Sequence, residues 1–319
     1  MRIGLLVGRE ATFPQVLISE INGRKTGVTA EYIKLGGVRM AEKCEYEVII
    51  DRISHEVPFY RSYLKSAVLS GTKVINNPFW WTADDKFFNY SLATYLGIAV
   101  PRTILLPQKD YKQGVVSESL RNLKYPLDWD EIIEHVGLPA FIKPYDGGGW
   151  RGVSKVSTRD ELMEKYDASG TDCMVLQQAI PFDHYVRCYC IGKKDVWPMS
   201  YDPIFQRYLV VDNYLDKKTD ERVRREALLI NEALGYDINT VEFAIVDGTP
   251  YAIDYMNPAP DADWWSVGSV YFNWLVDKVA DLAIEAALHG KPTLTSHRWD
   301  ELLKNDIKRP SLDKPAGAR

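Results

Sequence analysis

Two stretches of this 319-residue chain combine residue types and spacings that suit chemistry on a charged ligand. The first runs from Phe141 to Val156. It opens on the apolar pair Phe141 and Ile142, passes Lys143, and continues through Gly147, Gly148, Gly149, Trp150, Arg151 and Gly152 to Val153 and Val156. This reads as strand, glycine-rich loop, strand. Glycine lacks a Cβ, so such a loop reaches positive φ and can turn its N–H groups onto an anion at close range. Lys143 and Arg151 bracket the loop with positive charge, which suits a polyphosphate. The bland alternative is a mobile hairpin tip with two solvated cations. No Gly-Lys-Ser/Thr follows, so the Walker pattern is absent, and a strand rather than a helix comes next, which excludes the dinucleotide fingerprint.

The second stretch runs from Val241 to Asn257 and places Glu242 and Asp254 in otherwise apolar strands around Asp247-Gly248-Thr249. With a three-residue turn, Val246 pairs with Pro250, and counting outward sets Glu242 opposite Asp254. Opposed residues share a face, with Cβ atoms about 5 Å apart. Two facing carboxylates repel unless a cation lies between them. Asn257 adds a neutral oxygen. Oxygen-only donors suit Mg²⁺, with Mn²⁺ as an alternative, and Mg²⁺ also takes ligands from nucleotide phosphates. With a two-residue Asp247-Gly248 turn, the carboxylates would face opposite sides.

The surrounding elements must position these groups. Ile3–Val7, Glu47–Asp51 and Thr72–Ile75 read as strands, and the segments Phe13–Ile21 and Pro58–Leu69 have helical spacing. This alternation predicts an open α/β unit. Thr82 is the expected N-cap of a helix reaching Leu96, with Asp84 and Asp85 in its first turn. Strands are expected at Val100–Leu106 and Met174–Gln178, and short helices at Asp130–Val136 and Arg159–Tyr166. Residues 107–127 show no period and read as an extended connection. A hairpin is expected at Val186–Met199, an amphipathic helix at Thr219–Leu234, and a long helix at Ser269–Leu288.

Composition is that of an ordinary globular chain, 46% apolar and 26% charged, and the length points to two or three packed units. A net charge of −5 argues against a nucleic-acid footprint. Cys44, Cys173, Cys188 and Cys190 form no C-x-x-C pair, so reduced cytosolic thiols are the expectation, with a cytoplasmic location. The first residues read as a strand rather than a signal peptide. The apolar C-terminal helix carries Asp277, Lys278, Asp281 and Glu285, so no membrane span is expected.

Taken together, the chain resembles the ATP-grasp superfamily over about residues 1–290. The resemblance lies in Ala83-Asp84-Asp85-Lys86 followed by Gly97-Ile98-Ala99-Val100-Pro101, in Ile142-Lys143-Pro144 with the glycine loop, in Val175-Leu176-Gln177-Gln178-Ala179-Ile180, in Tyr185–Gly192, and in the acidic hairpin. It implies a pre-ATP-grasp α/β domain (1–98), ATP-grasp subdomains at 99–182 and 183–292, and a polar tail at 293–319. It also implies phosphate contacts from Lys86 and Lys143, a lid at Gly147, Gly148, Gly149, Trp150 and Gly152, and adenine contacts from Gln177, Gln178 and Ile180. Asp183 stands near the ribose position, Arg187 where a transferred phosphoryl group is steadied, and Glu242, Asp254 and Asn257 where Mg²⁺ is held. Arg207, with Tyr201 and Tyr208, is expected along the same cleft.

The implied reaction is ATP-dependent joining of a small-molecule carboxylate to an amine through an acyl phosphate, with a small-molecule kinase or a non-catalytic nucleotide-binding regulator as alternatives; the resemblance is also compatible with a homodimer. The sequence departs from the family at three places. Asp254 stands where glutamate is usual, Asn257 comes one residue late and leaves Met256 at the expected place, and Gln177 replaces the commoner glutamate. Asp261, Asp263 and Trp264 follow the hairpin; acids beside tryptophans are expected to bind a cationic acceptor, against the alternative of a capping turn.

Overall fold

The computed structural model describes residues 1–79 and 85–290. Three sheets organise it. The first is parallel, in the order β2-β1-β3-β4, and is built from β1 (Arg2–Leu6), β2 (Thr29–Tyr32), β3 (Val48–Asp51) and β4 (Lys73–Ile75). Ile3, Leu5, Ile49 and Ile50 are fully buried, as expected for apolar runs covered on both faces. Helices α1 (Phe13–Gly23) and α2 (Pro58–Leu69) each carry proline in the first turn, where its missing N–H costs no helical bond. The edge strand β2 was not expected from sequence; its residues Thr29-Ala30-Glu31-Tyr32 bury little beyond Ala30.

The second sheet is antiparallel, in the order β5-β8-β6-β7, from β5 (Thr103–Leu106), β6 (Ala140–Pro144), β7 (Ser154–Val156) and β8 (Met174–Gln178). Helices α4 (Trp129–Val136) and α5 (Arg159–Asp167) supply Val136, Leu162 and Tyr166 to its core. The third sheet has the order β11-β10-β9-β12-β13, from β9 (His184–Ile191), β10 (Asp195–Asp202), β11 (Arg207–Leu209), β12 (Ile238–Val246) and β13 (Thr249–Asp254).

Two layers cover the third sheet. On one face, α3 (Lys86–Tyr95) and α6 (Lys217–Leu234) bury Tyr90, Ala93, Val223, Ala227 and Ile230 against Cys188, Val241 and Phe243. On the other, α7 (Trp264–His289) packs Leu275, Val279 and Ala283 into one core with Tyr189, Ile191 and Met199, and with Leu5, Leu17 and Ile50 of the first sheet and α1. The last helix therefore ties the first and third sheets together. Its regular part begins after Gly268, which breaks it at φ 77°. The expected start at Ser269 corresponds to that break.

The start of α3 differs from expectation. Asp85 is its N-cap and accepts from the Phe88 N–H at 3.0 Å. Thr82, expected in that role, and Asp84, expected in the first turn, lie outside the described residues, as does the 293–319 tail. Among the described residues, no helix is long and apolar enough to cross a membrane.

Candidate active site

Lys143 leaves β6 on the same face as Gln177 of β8. Phe141 pairs with Gln177 and Lys143 with Val175, so the two polar side chains are diagonal neighbours across the ladder. The Lys143 ammonium is buried and donates to Gln177 Oε1 and to the Tyr90 hydroxyl, each at 2.8 Å. Gln177 Nε2 in turn donates to Thr103 Oγ1 at 3.0 Å. Burial pulls the Lys143 ammonium below its ordinary range, and the nearby charges of Asp254 and Glu242 offset that pull. The lysine of the second sheet is linked to the third through the Tyr90 hydroxyl, which donates to Ile253 O beside Asp254 at 2.8 Å.

Those carboxylates do oppose each other, by a route different from the expected one. The turn has two residues, not three: Val246 pairs with Thr249, and Asp247 and Gly248 take φ of 48° and 71°. Positive φ at both positions is the hairpin turn that Asp-Gly favours. The register holds through Phe243 and Ala252, then slips by one, so Glu242 pairs with Asp254 and Ile253 is left over as a β-bulge. A two-residue turn alone would have put the acids on opposite faces. The bulge restores them to one face, in keeping with the use of bulges to re-aim side chains.

Glu242 is well surrounded. Its Oε2 accepts from the Tyr185 hydroxyl at 2.5 Å, and its Oε1 lies 3.0 Å from Arg187 Nε, the residue it pairs with across β9 and β12. The Arg187 guanidinium lies over Tyr201 at 4.9 Å and Tyr208 at 5.5 Å. Burial pushes the Glu242 carboxyl above the usual range; Arg187 opposes this and the Asp254 charge adds to it. The Asp254 carboxylate makes no hydrogen bond or ion pair among the described residues, and no third acidic, histidine or cysteine side chain joins the two acids there. Two opposed oxygens sets with one unengaged member fit a hard cation that draws its remaining ligands from elsewhere. The Asn257 N–H donates to Asn239 Oδ1 at 2.9 Å, and Asn239 Nδ2 donates to Tyr255 O at 2.9 Å, so Asn239 fixes the chain just after the acids.

The glycine loop joins β6 to β7 and is exposed from Asp146 to Gly152. Gly147, Gly149, Trp150 and Gly152 all have positive φ. At Gly152 a Cβ would also lie 3.0 Å from Pro144 Cγ, so glycine is required there twice over. Lys86 is seated at the base of the loop. Its N–H donates to Tyr145 O at 2.8 Å and its ammonium donates to Gly147 O.

The remaining expected residues divide. At the end of β8, the Gln178 N–H donates to Arg102 O at 2.9 Å, and Ile180 packs beside Tyr185 and Tyr201. Asp183 is exposed, and its carboxylate accepts from the Asp247 N–H at 3.1 Å, bracing the hairpin turn. Arg207 is exposed at the sheet edge, over Phe205 and 4.0 Å from Asp202.

Asp263 is 5% exposed and closes the N-terminus of α1: one oxygen accepts from Thr12 N–H at 2.9 Å, Thr12 Oγ1 at 2.7 Å and Phe13 N–H at 3.1 Å, and the other from Ala11 N–H at 3.1 Å. Asp261 accepts from the Asp263 N–H at 3.1 Å and from the Ser266 hydroxyl. Both acids are engaged by their own chain: Asp261 holds the turn before the last helix, whereas the Asp263 side chain serves α1 and makes no cap bond to α7. Trp264 is half exposed.

Several residues at the site were not singled out from sequence. Tyr90, Thr103 and Tyr185 hold Lys143, Gln177 and Glu242, yet hydroxyl-bearing residues in apolar elements carry no spacing signal. Arg52, nearly fully buried, pairs with Glu10, donates to Pro260 O and lies over Phe13. It ties the first sheet to the segment following the acidic hairpin.

No family model matches the chain. Among solved structures, a D-alanine–D-alanine ligase from Bacillus anthracis complexed with ATP superposes with a TM-score of 0.63 at 20% identity, over 90% of this chain and 97% of that one. A RimK domain protein ATP-grasp from Sphaerobacter thermophilus gives 0.60 at 18% identity, over 90% and 98%. The chain has the ATP-grasp fold. In sequence, the ATP-grasp chain is similar to the D-alanine–D-alanine ligase of Bacteroides fragilis, 26% identical over 167 residues, which is 51% of this chain and 46% of the relative. It is also similar to that of Limosilactobacillus fermentum, 24% identical over 235 residues, 60% and 61% of the two. The chain thus spans about half to three fifths of the length of these two curated relatives.

Proposed function

We propose that the protein is an ATP- and Mg²⁺-dependent ligase that joins a small-molecule carboxylate to an amine and releases ADP and phosphate. The observation that carries this reading is the buried Lys143 ammonium of one sheet, joined through the Tyr90 hydroxyl to the strand that sets Asp254 opposite Glu242 in the other, with the glycine loop following β6. A cation at one side and a paired-acid metal seat at the other suit a triphosphate lying between the sheets. The similarity to ligases whose names state the joining of D-alanine to D-alanine supports the ligase class.

The residues divide the work as follows. Lys86 and Lys143 neutralise phosphate oxygens, and the loop at Gly147–Gly152 brings N–H groups over them and excludes water. Gln178 and Ile180 line the base end, and Asp183 stands at its mouth. Glu242 and Asp254 would hold the metal, with Asn257 as a further oxygen; once bound, Mg²⁺ neutralises charge on the terminal phosphates.

A carboxylate oxygen of the first substrate attacks the γ-phosphorus, and the bond to the β–γ bridging oxygen breaks, giving acyl phosphate and ADP. The amine nitrogen of the second then attacks the acyl carbon and loses a proton, and phosphate leaves with the former carboxylate oxygen. Arg187, held between Tyr201 and Tyr208, is the group suited to steady the transferred phosphoryl, with Arg207 at the rim. No protein nucleophile is needed. A cytoplasmic location fits the demand for ATP.

The test is ADP release from a panel of acid–amine pairs, with and without hydroxylamine. The expected result is ADP formation that depends on the acid and yields a hydroxamate when hydroxylamine replaces the amine. ADP formation with a phosphate ester and no hydroxamate would make the protein a kinase instead.

A further inference from the structure

Tyr90 joins the two halves of the cleft at a single oxygen. Its hydroxyl accepts from the Lys143 ammonium at 2.8 Å and donates to the Ile253 carbonyl at 2.8 Å. The first partner belongs to the second sheet, the other to the third. Ile253 is no arbitrary residue: it is the bulge whose extra length sets Asp254 opposite Glu242. Tyr90 is itself 4% exposed on α3, with its ring under the Lys143 ammonium at 5.3 Å and edge-on to Tyr255 at 5.9 Å. A hydroxyl has one proton to give, so donating to Ile253 O leaves its lone pairs for Lys143. The hydrogen bonds form one run, Thr103–Gln177–Lys143–Tyr90–Ile253.

We propose that Tyr90 is a positioning residue that couples the placement of the Lys143 ammonium to the geometry of the Glu242–Asp254 pair, so that phosphate binding and metal binding are read through one side chain. This rests on the nucleotide–metal reading of the cleft given above. A phosphate that draws Lys143 toward it pulls on the Tyr90 hydroxyl, and the hydroxyl holds the bulge carbonyl next to Asp254. The same contact ties α3, which begins at Lys86, to the phosphate-binding and metal-binding sides of the cleft.

The test is calorimetric titration of the full chain with ATP in EDTA, and with ATP at rising Mg²⁺, for the wild type, Tyr90→Phe, Lys143→Met and the double variant, alongside ligand-free unfolding midpoints. Tyr90→Phe is expected to weaken ATP binding in EDTA about tenfold and to raise the Mg²⁺ midpoint about tenfold, the scale of one hydrogen bond to a charged group. In the Lys143→Met background, Tyr90→Phe is expected to add less than about twofold in EDTA while still raising the Mg²⁺ midpoint, as the two arms of the coupling require. A Tyr90 that merely supports the fold would lower the unfolding midpoint and leave both binding constants unchanged, which overturns the proposal, as does full additivity with Lys143→Met for ATP binding in EDTA.

If wild type binds no ATP, the nucleotide reading falls and this proposal with it; if wild type binds and Tyr90→Phe matches it, only this proposal falls. Should Tyr90→Phe not fold, hydrogen exchange decides. ATP without metal is expected to slow exchange at residues 252–255 in the wild type but not in Lys143→Met, and unchanged exchange in the wild type overturns the coupling.

Discussion

Asp254 and Asp263 stand in one short stretch of chain, and sequence offers both as ligand-binding acids. Their surroundings separate them. Asp254 faces Glu242 across a ladder and engages no partner among the described residues, whereas Asp263 accepts from three backbone N–H groups and the Thr12 hydroxyl at the start of α1. An acid whose lone pairs are taken up at a helix N-terminus stabilises a fold; an acid held against another acid, with its oxygens unengaged, is a seat for a cation. The difference teaches that residue type nominates a site, and the accounting of donors decides it.

Substitution sharpens this contrast. The largest effect is expected at Asp254. Asp254→Asn should weaken Mg-ATP binding about 100-fold or more while leaving the ligand-free unfolding midpoint unchanged or slightly raised, because it removes a repulsion; titration calorimetry and thermal unfolding check both halves. A lowered midpoint with unchanged binding would exchange the roles of the two acids.

Asp263 should give the opposite pattern. Asp263→Ala is expected to cost about 2 kcal/mol of stability, the upper range for a helix cap, and to leave Mg-ATP affinity within about twofold. Its pH dependence has a definite sign. Burial would raise the Asp263 carboxyl, but its hydrogen bonds from Thr12, Phe13 and Ala11 hold it below the usual carboxylate range. A depressed folded value means that the stabilisation is complete above the unfolded value of about 3.9 and is lost as pH falls through the folded one. Denaturant titrations below about pH 4 should therefore narrow the gap between wild type and Asp263→Ala.

The smallest effect is expected at Trp264. Half exposed beside a spent carboxylate, it should show a change of less than about 0.5 kcal/mol on Trp264→Ala. A large rise in the KM of the amine would restore the acceptor role that its position in the sequence brought to mind.

How far the sequence carried varies by element. Continuous apolar runs made β1, β3 and β8 legible, because burial on both faces leaves a local mark. Lys143 and the loop were legible for the same reason: a cation and glycines interrupt an otherwise apolar pattern. The Glu242–Asp254 pairing was expected for the wrong geometric reason. Asp247-Gly248 makes a two-residue turn, and the bulge at Ile253 supplies the missing step. Nothing about an isoleucine in an alternating strand announces a bulge, and the hydrogen bond its carbonyl accepts, from the Tyr90 hydroxyl at 2.8 Å, comes from another element. The donors around Asp263 were hidden for a related reason, as they come from residues 11–13, far away in sequence. Contacts between distant segments leave no periodicity to read.

The central claim is that a nucleotide and its metal lie between Lys143 and the Glu242–Asp254 pair. Thermal unfolding with Mg-ATP, ATP plus EDTA, and no ligand tests it most directly, in the wild type, Asp254→Asn and Asp263→Asn. A ligand at about 100 times its Kd adds roughly 2.7 kcal/mol, which is easily seen. The account predicts a Mg²⁺-dependent rise in the wild type that is lost in Asp254→Asn and kept in Asp263→Asn. A rise kept in Asp254→Asn, or absent from the wild type, would contradict it.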